Sequence, residues 1–314
     1  MEWNKQRVVV TGGAGFLGSH LVDRLQQRAC RKIVVPRSKG YDLRDRDAIV
    51  RLLDEARPDV VFHLAAVVSG EAESDFEKGY RVNLDGTRLL LEAIRADHGH
   101  CPRLVFASSI AVFGAPLPDE IADDFHTTPL TSYGTQKAVC ELLLNDYTRR
   151  GFVDGVAIRL PTICIRPGAP NLAASGFFSG IVREPLNGLE AVVPVAAGVR
   201  HCHASPRAAV EFLLRAATID GSALGARRCL TMPGVSVTVG EQLKALAAVA
   251  GNEVAQLVRY ERDEGVERFI AGWPRSFDAR RAESLGFRAD SSFEEIIRIY
   301  IDDELGGRIP AVAQ

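Results

Sequence analysis

Residues 7–18 read RVVVTGGAGFLG, a run of β-branched residues followed by spaced glycines and the start of an amphipathic segment. The valines predict a buried strand, and the apolar spacing that follows predicts a helix to about Arg28. Gly12 permits a tight turn, Gly15 lets a ligand approach the backbone, and Gly18 allows the helix to pack closely on the strand. Strand, turn and helix in this order predict a dinucleotide site, with the pyrophosphate at the helix N-terminus.

Length and composition limit the class of protein. The chain has 314 residues, 46% of them apolar, and 38 Lys and Arg against 40 Asp and Glu give a net charge of −2. These values are typical of a globular protein with two domains, or one domain and a smaller lobe. The charge gives no field to attract nucleic acid or an anionic membrane. No apolar run reaches the ~18–20 residues of a membrane span, and no signal-peptide core follows Met1, so we expect a cytoplasmic protein.

Strand and helix patterns alternate through the first half of the chain. The predicted strands are 7–11, 32–35, 59–64, 103–107 and 155–160. The longest helix is predicted from Tyr133 to Arg150. Because the strands are continuous runs of Val, Ile and Leu, they predict a parallel sheet with helices on both faces. Right-handed crossovers then predict an α/β fold, a doubly wound parallel sheet of the Rossmann type.

After Pro161 the pattern changes, because Pro and Gly become frequent through Pro206. This predicts irregular structure and a smaller α/β lobe for the substrate, interleaved with the first domain. We expect a dinucleotide-binding domain at 1–165 and about 204–232, a substrate lobe at 166–203 and about 233–305, and a tail at 306–314.

The cysteines and histidines give little sign of a metal site. The six cysteines are scattered with no CxxC pair, which favours buried free thiols. His201 and His203 are alternate residues of a predicted strand and share a face. Since no third ligand is near them in sequence, packing or substrate contact is the favoured interpretation, and no metal is expected.

The turn after the second predicted strand, VPRSKG at 35–40, contains no acidic residue. An Asp or Glu at this place would bind the ribose 2′-hydroxyl of NAD. Arg37 and Ser38 suit the 2′-phosphate of NADP instead, because the arginine fork makes paired, charge-assisted bonds with phosphate. The sequence therefore favours NADP, with a solvated basic turn as the alternative.

A serine pair and a Tyr–Lys pair supply candidate catalytic groups. Ser108 and Ser109 end the fourth predicted strand, where open α/β sheets bind ligands. Tyr133 and Lys137 lie one helical turn apart and share a face. We expect the Lys137 charge to lower the Tyr133 pKa so that the phenolate can act as a general base. A serine hydroxyl can bind the substrate oxygen.

These motifs resemble the extended short-chain dehydrogenase/reductase family of NAD-dependent epimerases and dehydratases. The resemblance covers nearly the whole chain, including HLAA at 63–66, NLDGT at 83–87, YGTQK at 133–137 and DARRAESLGF at 278–287. It implies that Ser109, Tyr133 and Lys137 are catalytic, with Ser109 preferred to Ser108. Motifs and resemblance together suggest these cofactor-binding residues: Gly12, Gly15, Phe16, Leu17, Gly18, Arg37, Ser38, Asp42, Leu43, Leu64, Ala65, Ala66, Asn83, Tyr133, Lys137, Pro161 and Ile163.

Two parts of the chain resemble different members of the family. From Val67 onward it is similar to members that oxidise the C2 hydroxyl of a four-carbon sugar acid with NAD, whereas residues 34–60 are similar to nucleotide-sugar reductases that use NADPH. The resemblance therefore implies an NAD(P)-dependent dehydrogenase of a small hydroxy acid. A nucleotide-sugar epimerase or reductase is the alternative, and a cofactor-binding regulatory protein is a third reading that the intact Ser–Tyr–Lys set disfavours.

The substrate candidates come from the loops around the predicted site. Hydroxyl and amide side chains could form hydrogen bonds with sugar hydroxyls, and two arginines could bind a carboxylate or phosphate. The candidates are Ser69, Ser109, Asn171, Ser175, Arg183 and Arg200. Family members commonly dimerise through helices at about 83–98 and 133–150, so the resemblance also implies a homodimer.

Overall fold

The computed structural model describes residues 1–97, 99–168 and 175–309. Its strands are β1 (Arg7–Thr11), β2 (Lys32–Val34), β3 (Val60–His63), β4 (Arg103–Ser109), β5 (Asp154–Leu160), β6 (Thr162–Ile163), β7 (Ala191–Val193), β8 (Arg200–Ala204), β9 (Cys229–Thr231), β10 (Val235–Thr238) and β11 (Val258–Tyr260). Its α-helices are α1 (Phe16–Gln27), α2 (Arg46–Ala56), α3 (Ser69–Ser74), α4 (Phe76–Gly79), α5 (Gly86–Ala96), α6 (Ser132–Arg149), α7 (Gly176–Leu186), α8 (Pro206–Thr218), α9 (Gly221–Leu224), α10 (Val239–Ala250), α11 (Asn252–Ala255), α12 (Glu264–Ile270), α13 (Arg280–Ser284) and α14 (Phe293–Glu304).

A six-stranded sheet in the order β2-β1-β3-β4-β5-β9 confirms the doubly wound fold. Every neighbouring pair in it is parallel. The chain passes from β1 outward to β2 and then crosses to β3 on the other side of β1. Such a reversal opens a crevice at the carboxyl ends of the strands, where ligands bind. Thr11 and His63 pair in register at these ends, which places the glycine loop beside residues 64–66.

A smaller lobe follows the central strands and has its own sheets and core. β10, β8 and β6 form a three-stranded sheet, and β11 pairs with β7. Apolar side chains from α7, α10 and α14 form the core of this lobe, including Phe178, Ile181, Leu246, Phe293 and Ile297. Between its parts the chain returns to the central sheet, because α8 packs on the sheet core and β9 adds the last strand.

Several local features differ from the sequence-based predictions. The helix expected from Asn83 begins as a π-helical turn at Tyr80–Asp85. The apolar spacing over 276–285 predicts a helix, and the structure has only α13 (Arg280–Ser284) there, because Phe277 forms a β-bridge with Ile121. Ile309, in the predicted tail, packs against the core of the second lobe.

All six cysteines are free, but they are not all buried. Cys140, Cys164 and Cys202 are buried, whereas Cys101 is exposed. Among the described residues no helix is long and apolar enough to cross a membrane.

Candidate active site

The glycine-rich loop between β1 and α1 leaves no room for side chains at two of its glycines. A Cβ on Gly18 would lie 2.2 Å from the Gly12 carbonyl oxygen, and one on Gly12, whose φ is +74°, would lie 2.7 Å from the Ala65 nitrogen. Helix α1 starts at Phe16, and no side chain of the described residues caps its first N–H groups. These N–H groups, which include that of Leu17, are open to phosphate oxygens. The loop therefore fits a dinucleotide pyrophosphate.

A buried histidine connects the elements behind this loop. His63 Nδ1 lies 2.7 Å from Thr11 Oγ1, and His63 Nε2 lies 2.9 Å from Thr87 Oγ1. Thr87 donates its proton to the Asn83 carbonyl, so its oxygen accepts from His63 Nε2, and Thr11 donates to Nδ1. Burial lowers the His63 pKa to about 3, so the ring is neutral. This network holds residues 64–66, predicted to contact the cofactor, beside the glycine loop.

Asn83 positions the loop that follows β3. Its Oδ1 accepts from the Val67 N–H at 2.8 Å, and its Nδ2 donates to the Val67 carbonyl at 3.2 Å and to Gln136 Oε1 at 2.7 Å. Both amide hydrogens are thus used within the protein. The side chain thus ties the loop after β3 to α6, and the contact of Asn83 with the cofactor stays a prediction.

The turn after β2 presents its basic residues to solvent. Arg37 and Ser38 are both exposed. Asp42 forms a bidentate pair with Arg44, whose hydrogen bonds hold the Asp42 pKa below its usual value. Leu43 packs against the core beneath the turn. Arg37 and Ser38 are therefore open to solvent at this end of β2.

A cavity of about 460 Å³ opens at the carboxyl ends of β4 and β5. It is bounded on one side by the glycine loop and on another by residues 268–274 of the second lobe. Candidates for the cofactor and for the substrate therefore share one space. The predicted site residues that line it are Phe16, Ser69, Ser109, Tyr133, Pro161, Ile163, Ser175 and Arg183.

The lining of this cavity carries positive charge. Arg166, Arg183 and Arg268 all contribute to it, and no Asp or Glu of the described residues does. The Arg166 guanidinium lies 5.9 Å from the ring centroid of Phe16. Arg183 is buried, donates to the Arg166 carbonyl at 2.8 Å and pairs with Glu184. A cavity with arginines and no carboxylate is suited to an anionic substrate.

Two substrate candidates are not placed in the cavity. Arg200 donates to the Ser236 carbonyl at 2.8 Å and pairs with Glu241 at 3.1 Å, and it is absent from the lining. Asn171 lies outside the described residues. Sequence reasoning missed the second-lobe wall formed by Arg268 and by Trp273, which follow no motif. Their signal was an Arg-Phe pair leading into a Gly-Trp-Pro turn.

Ser109 and Tyr133 lie together in the lining of the cavity, and the buried Lys137 lies next to the Tyr133 ring. Ser109 is the last residue of β4, and Tyr133 stands in the first turn of α6, whose N-terminus is capped by Thr131. The Ser109 hydroxyl accepts from the Ala111 N–H at 3.1 Å. The Lys137 Nζ lies 5.6 Å from the centroid of the Tyr133 ring and donates to the Ala107 carbonyl at 2.8 Å.

The pKa values of this group differ from the prediction. Burial raises the pKa of Tyr133 to about 12, against a partial lowering by Ser109. Burial also lowers the pKa of Lys137 to about 8. The expected lowering of the Tyr133 pKa by Lys137 is therefore wrong for this structure, since the ammonium group lies over the ring and bonds a backbone carbonyl rather than the phenol oxygen.

Ser108 faces the opposite way from Ser109 and belongs to a buried network. It donates to Glu141 Oε1 at 2.6 Å, and Glu141 pairs with Arg159 at 2.7 Å. Glu141 is 3% and Arg159 7% exposed. We call this the Ser108–Glu141–Arg159 network. Because Ser108 is engaged away from the cavity, only Ser109 of the pair lines it.

The two histidines of β8 have partners other than a metal. His201 lines the cavity and bonds Thr162 and the Pro274 carbonyl, whereas His203 bonds Gln242. Within the part of the chain that the structure describes, no group of three or more His, Cys, Asp or Glu could hold a metal ion.

Comparisons with known proteins agree with the fold and the motifs. The sequence pattern of the NAD dependent epimerase/dehydratase family matches residues 8–198. The chain is 48% identical to D-erythronate dehydrogenase of Cupriavidus necator, over 94% of this chain and 98% of that protein. It is 41% identical to D-erythronate dehydrogenase of Haemophilus influenzae, over 95% of this chain and all (100%) of that protein. A crystal structure of a nucleoside-diphosphate-sugar epimerase from Agrobacterium tumefaciens matches with a TM-score of 0.93 and 55% identity, over 98% of this chain and 96% of that one.

The doubly wound sheet, its glycine loop and the matches to the family and to its dehydrogenases together define a nicotinamide-dinucleotide oxidoreductase. The chain belongs to the NAD dependent epimerase/dehydratase family, the extended short-chain dehydrogenase/reductases that its motifs resemble. Within that family it is a dehydrogenase of CH–OH groups.

Proposed function

We propose that the chain oxidises the C2 hydroxyl of D-erythronate to 2-oxo-erythronate with NAD or NADP. The observation that supports this most is the cavity, where Ser109 and Tyr133 lie in a lining whose described residues include three arginines and no carboxylate. A four-carbon acid has few atoms, so its binding depends on a few strong polar contacts. Two relatives matched over nearly their whole length are D-erythronate dehydrogenases, which supports this substrate.

Three residues have separate tasks in the proposed reaction. The Ser109 hydroxyl holds the C2 oxygen, and the Tyr133 phenolate takes the C2 hydroxyl proton as the hydride leaves C2. A bound NAD or NADP supplies the acceptor for that hydride. Burial holds the Tyr133 pKa near 12, and the Lys137 ammonium group lies 5.6 Å from the centroid of the Tyr133 ring. The proposal therefore requires the Lys137 charge to act on the phenol oxygen once cofactor and substrate are bound.

We propose NADP as the preferred cofactor. The support is the turn after β2, where Arg37 and Ser38 are exposed and no acidic residue is present to bind a ribose 2′-hydroxyl. NAD is the alternative that the family resemblance favours. The ratio of kcat/KM for the two cofactors decides between them.

The substrate carboxylate is bound, in this proposal, by arginines that line the cavity. Arg166 lies beside Phe16, which follows the glycine loop, and Arg183 donates a hydrogen bond to the Arg166 carbonyl. Replacing either with Met removes the charge and keeps much of the packing of the stem. We expect KM for D-erythronate to rise at least roughly tenfold. Arg200→Met is the matched control, because Arg200 faces Ser236 and Glu241 instead.

A nucleotide-sugar epimerase or reductase is the second candidate, favoured by the A. tumefaciens structure. The same arginines would suit a diphosphate. The deciding experiment offers the purified protein D-erythronate, UDP-sugars and GDP-sugars with each cofactor, and follows both reduced cofactor and sugar products. Turnover of a nucleotide sugar without oxidation of any hydroxy acid would replace the first proposal by the second.

Three further predictions from the sequence remain proposals. We propose a homodimer through α5 and α6, and the exposed Leu142 on α6 supports it. Light scattering of the parent and of Leu142→Glu tests it, with a dimer mass expected for the parent and a monomer mass for the variant. We also propose that the sheet domain and the substrate lobe are separate domains with the boundaries predicted above, except that β6 and Ile309 belong to the lobe, whose sheet and core they join. The third proposal is that the enzyme is cytoplasmic.

A further inference from the structure

Thr162 and His201 form a hydrogen-bonded pair in the cavity wall, and the proposed chemistry uses neither. Thr162 is on β6 and His201 is on β8, and both line the cavity. The Thr162 Oγ1 lies 2.7 Å from His201 Nε2, and His201 Nδ1 lies 3.1 Å from the Pro274 carbonyl oxygen. The pair thus connects two strands of the lobe to the loop that follows α12.

The partners of His201 determine the direction of each hydrogen bond. A carbonyl oxygen only accepts, so the proton of the ring is on Nδ1 and is donated to Pro274. Burial lowers the His201 pKa to about 4, so the ring is neutral near pH 7 and Nε2 carries no proton. Nε2 therefore accepts, and the Thr162 hydroxyl donates to it. The hydrogen of Thr162 is committed, and its oxygen offers only lone pairs to the cavity.

Packing prevents the imidazole from turning to reverse these bonds. Phe178 stacks on His201 with ring centroids 4.9 Å apart and an interplanar angle of 6°. Trp273 contacts the same ring at 5.3 Å between centroids. His201 itself is 2% exposed. The orientation of the Thr162 hydroxyl is thus set by a ring that the surrounding aromatic side chains hold in place.

We propose that Thr162 is a specificity-determining acceptor for a substrate hydroxyl beyond the oxidised carbon, and that His201 is the positioning residue that sets its direction. The inference rests on the proposed function, because it names a contact for the same substrate. The three arginines of the cavity only donate, so they match the carboxylate and cannot accept from a hydroxyl. The described residues of the lining include no carboxylate, and Thr162 supplies an acceptor whose own hydrogen is already committed, which suits a hydroxyl of a polyhydroxy acid.

The test compares D-erythronate with two analogues that each lack one remaining hydroxyl, 2,4-dihydroxybutanoate and 2,3-dihydroxybutanoate. Thr162→Val keeps the shape and removes the acceptor. We expect its kcat/KM for D-erythronate to fall roughly ten- to a hundredfold, since a buried hydroxyl loses its partner. For the analogue that lacks the contacted hydroxyl, the kcat/KM of Thr162→Val should equal that of the parent within about twofold. Thr231→Val is the control, because Thr231 is a buried strand residue that does not line the cavity.

Variants of His201 test its positioning role. His201→Gln keeps an acceptor for Thr162 and a donor for Pro274. It should therefore retain the higher kcat/KM for D-erythronate over the analogue that lacks the contacted hydroxyl. His201→Phe removes both the acceptor and the donor. Its kcat/KM for D-erythronate should fall, while turnover of the analogue that lacks the contacted hydroxyl persists. Equal behaviour of the two variants overturns the positioning role.

Other outcomes separate the inference from the proposed function. A Thr162→Val enzyme that loses activity equally on D-erythronate and both analogues, or that changes only the KM of the cofactor, overturns the inference. A parent that oxidises no hydroxy acid overturns the proposed function instead. Nitrogen NMR of the parent requires no variant to fold: a His201 proton found on Nε2 rather than Nδ1 would refute the direction of the hydrogen bonds.

Discussion

Loss of one charge from the Ser108–Glu141–Arg159 network should be costly for both stability and catalysis. Glu141 accepts from Ser108 at 2.6 Å and from Arg159 at 2.7 to 3.1 Å through both of its oxygens. Glu141→Leu leaves a buried guanidinium without its anion. Breaking such a pair costs about 3–5 kcal/mol, most of it the penalty for the uncompensated charge.

A double-mutant cycle separates the free-energy cost of the unpaired charge from the cost of lost packing. Arg159→Met alone leaves the Glu141 carboxylate unpaired and should cost a similar amount. In the double variant both charges are gone, and an apolar pair of similar volume is close to neutral. We therefore expect the double variant to be more stable than either single variant, with a coupling energy of at least about 3 kcal/mol.

Loss of the network should also lower the rate of catalysis, because the network holds the helix that carries two proposed catalytic residues. Glu141 lies one turn beyond Lys137 on α6, and Arg159 lies on β5. Since small displacements of reacting groups are costly, kcat in Glu141→Leu should fall at least roughly tenfold. Urea unfolding gives the stability, and steady-state rates give kcat. Additive losses in the double variant would refute the argument, because they would show that the two charges act independently.

Three further predictions address the proposed site. Tyr133→Phe should lower kcat by roughly a hundredfold or more and leave cofactor affinity nearly unchanged in a fluorescence titration, and Ser109→Ala should cost about 1.5–3 kcal/mol in kcat/KM; a near-parental rate in Tyr133→Phe would remove Tyr133 as the base. Arg37→Asp should reverse the ratio of kcat/KM for NADP and NAD, because it replaces an attraction by a repulsion, and an unchanged ratio would show that Arg37 is solvated. Burial lowers the Lys137 pKa from 10.5 to about 8, so between these values the unfolded chain binds more protons than the folded one and stability rises with pH. The free energy of unfolding should increase by about 2 kcal/mol from pH 8 to pH 10, and Lys137→Met should lack this increase in urea titrations.

Features that depend on neighbours in sequence could be predicted from the sequence. The valine run of β1, the glycine spacing and the start of α1 lie within residues 7–27, and local backbone geometry alone relates them. The same holds for Tyr133 and Lys137, which share a face because the helical repeat requires it. The alternation of a strand separates Ser109 from Ser108, and the structure places only Ser109 at the cavity.

The tertiary structure decided which charges face the substrate and which protons are available. The sequence suggested Arg200 and not Arg268, but packing turns Arg200 to Glu241 and brings Arg268 to the cavity. The Tyr133 pKa depends on burial, and the direction of the Thr162 hydroxyl depends on Pro274, more than a hundred residues away in the chain. Periodicity reports the local backbone, whereas desolvation and long-range hydrogen bonds arise only when distant segments pack together.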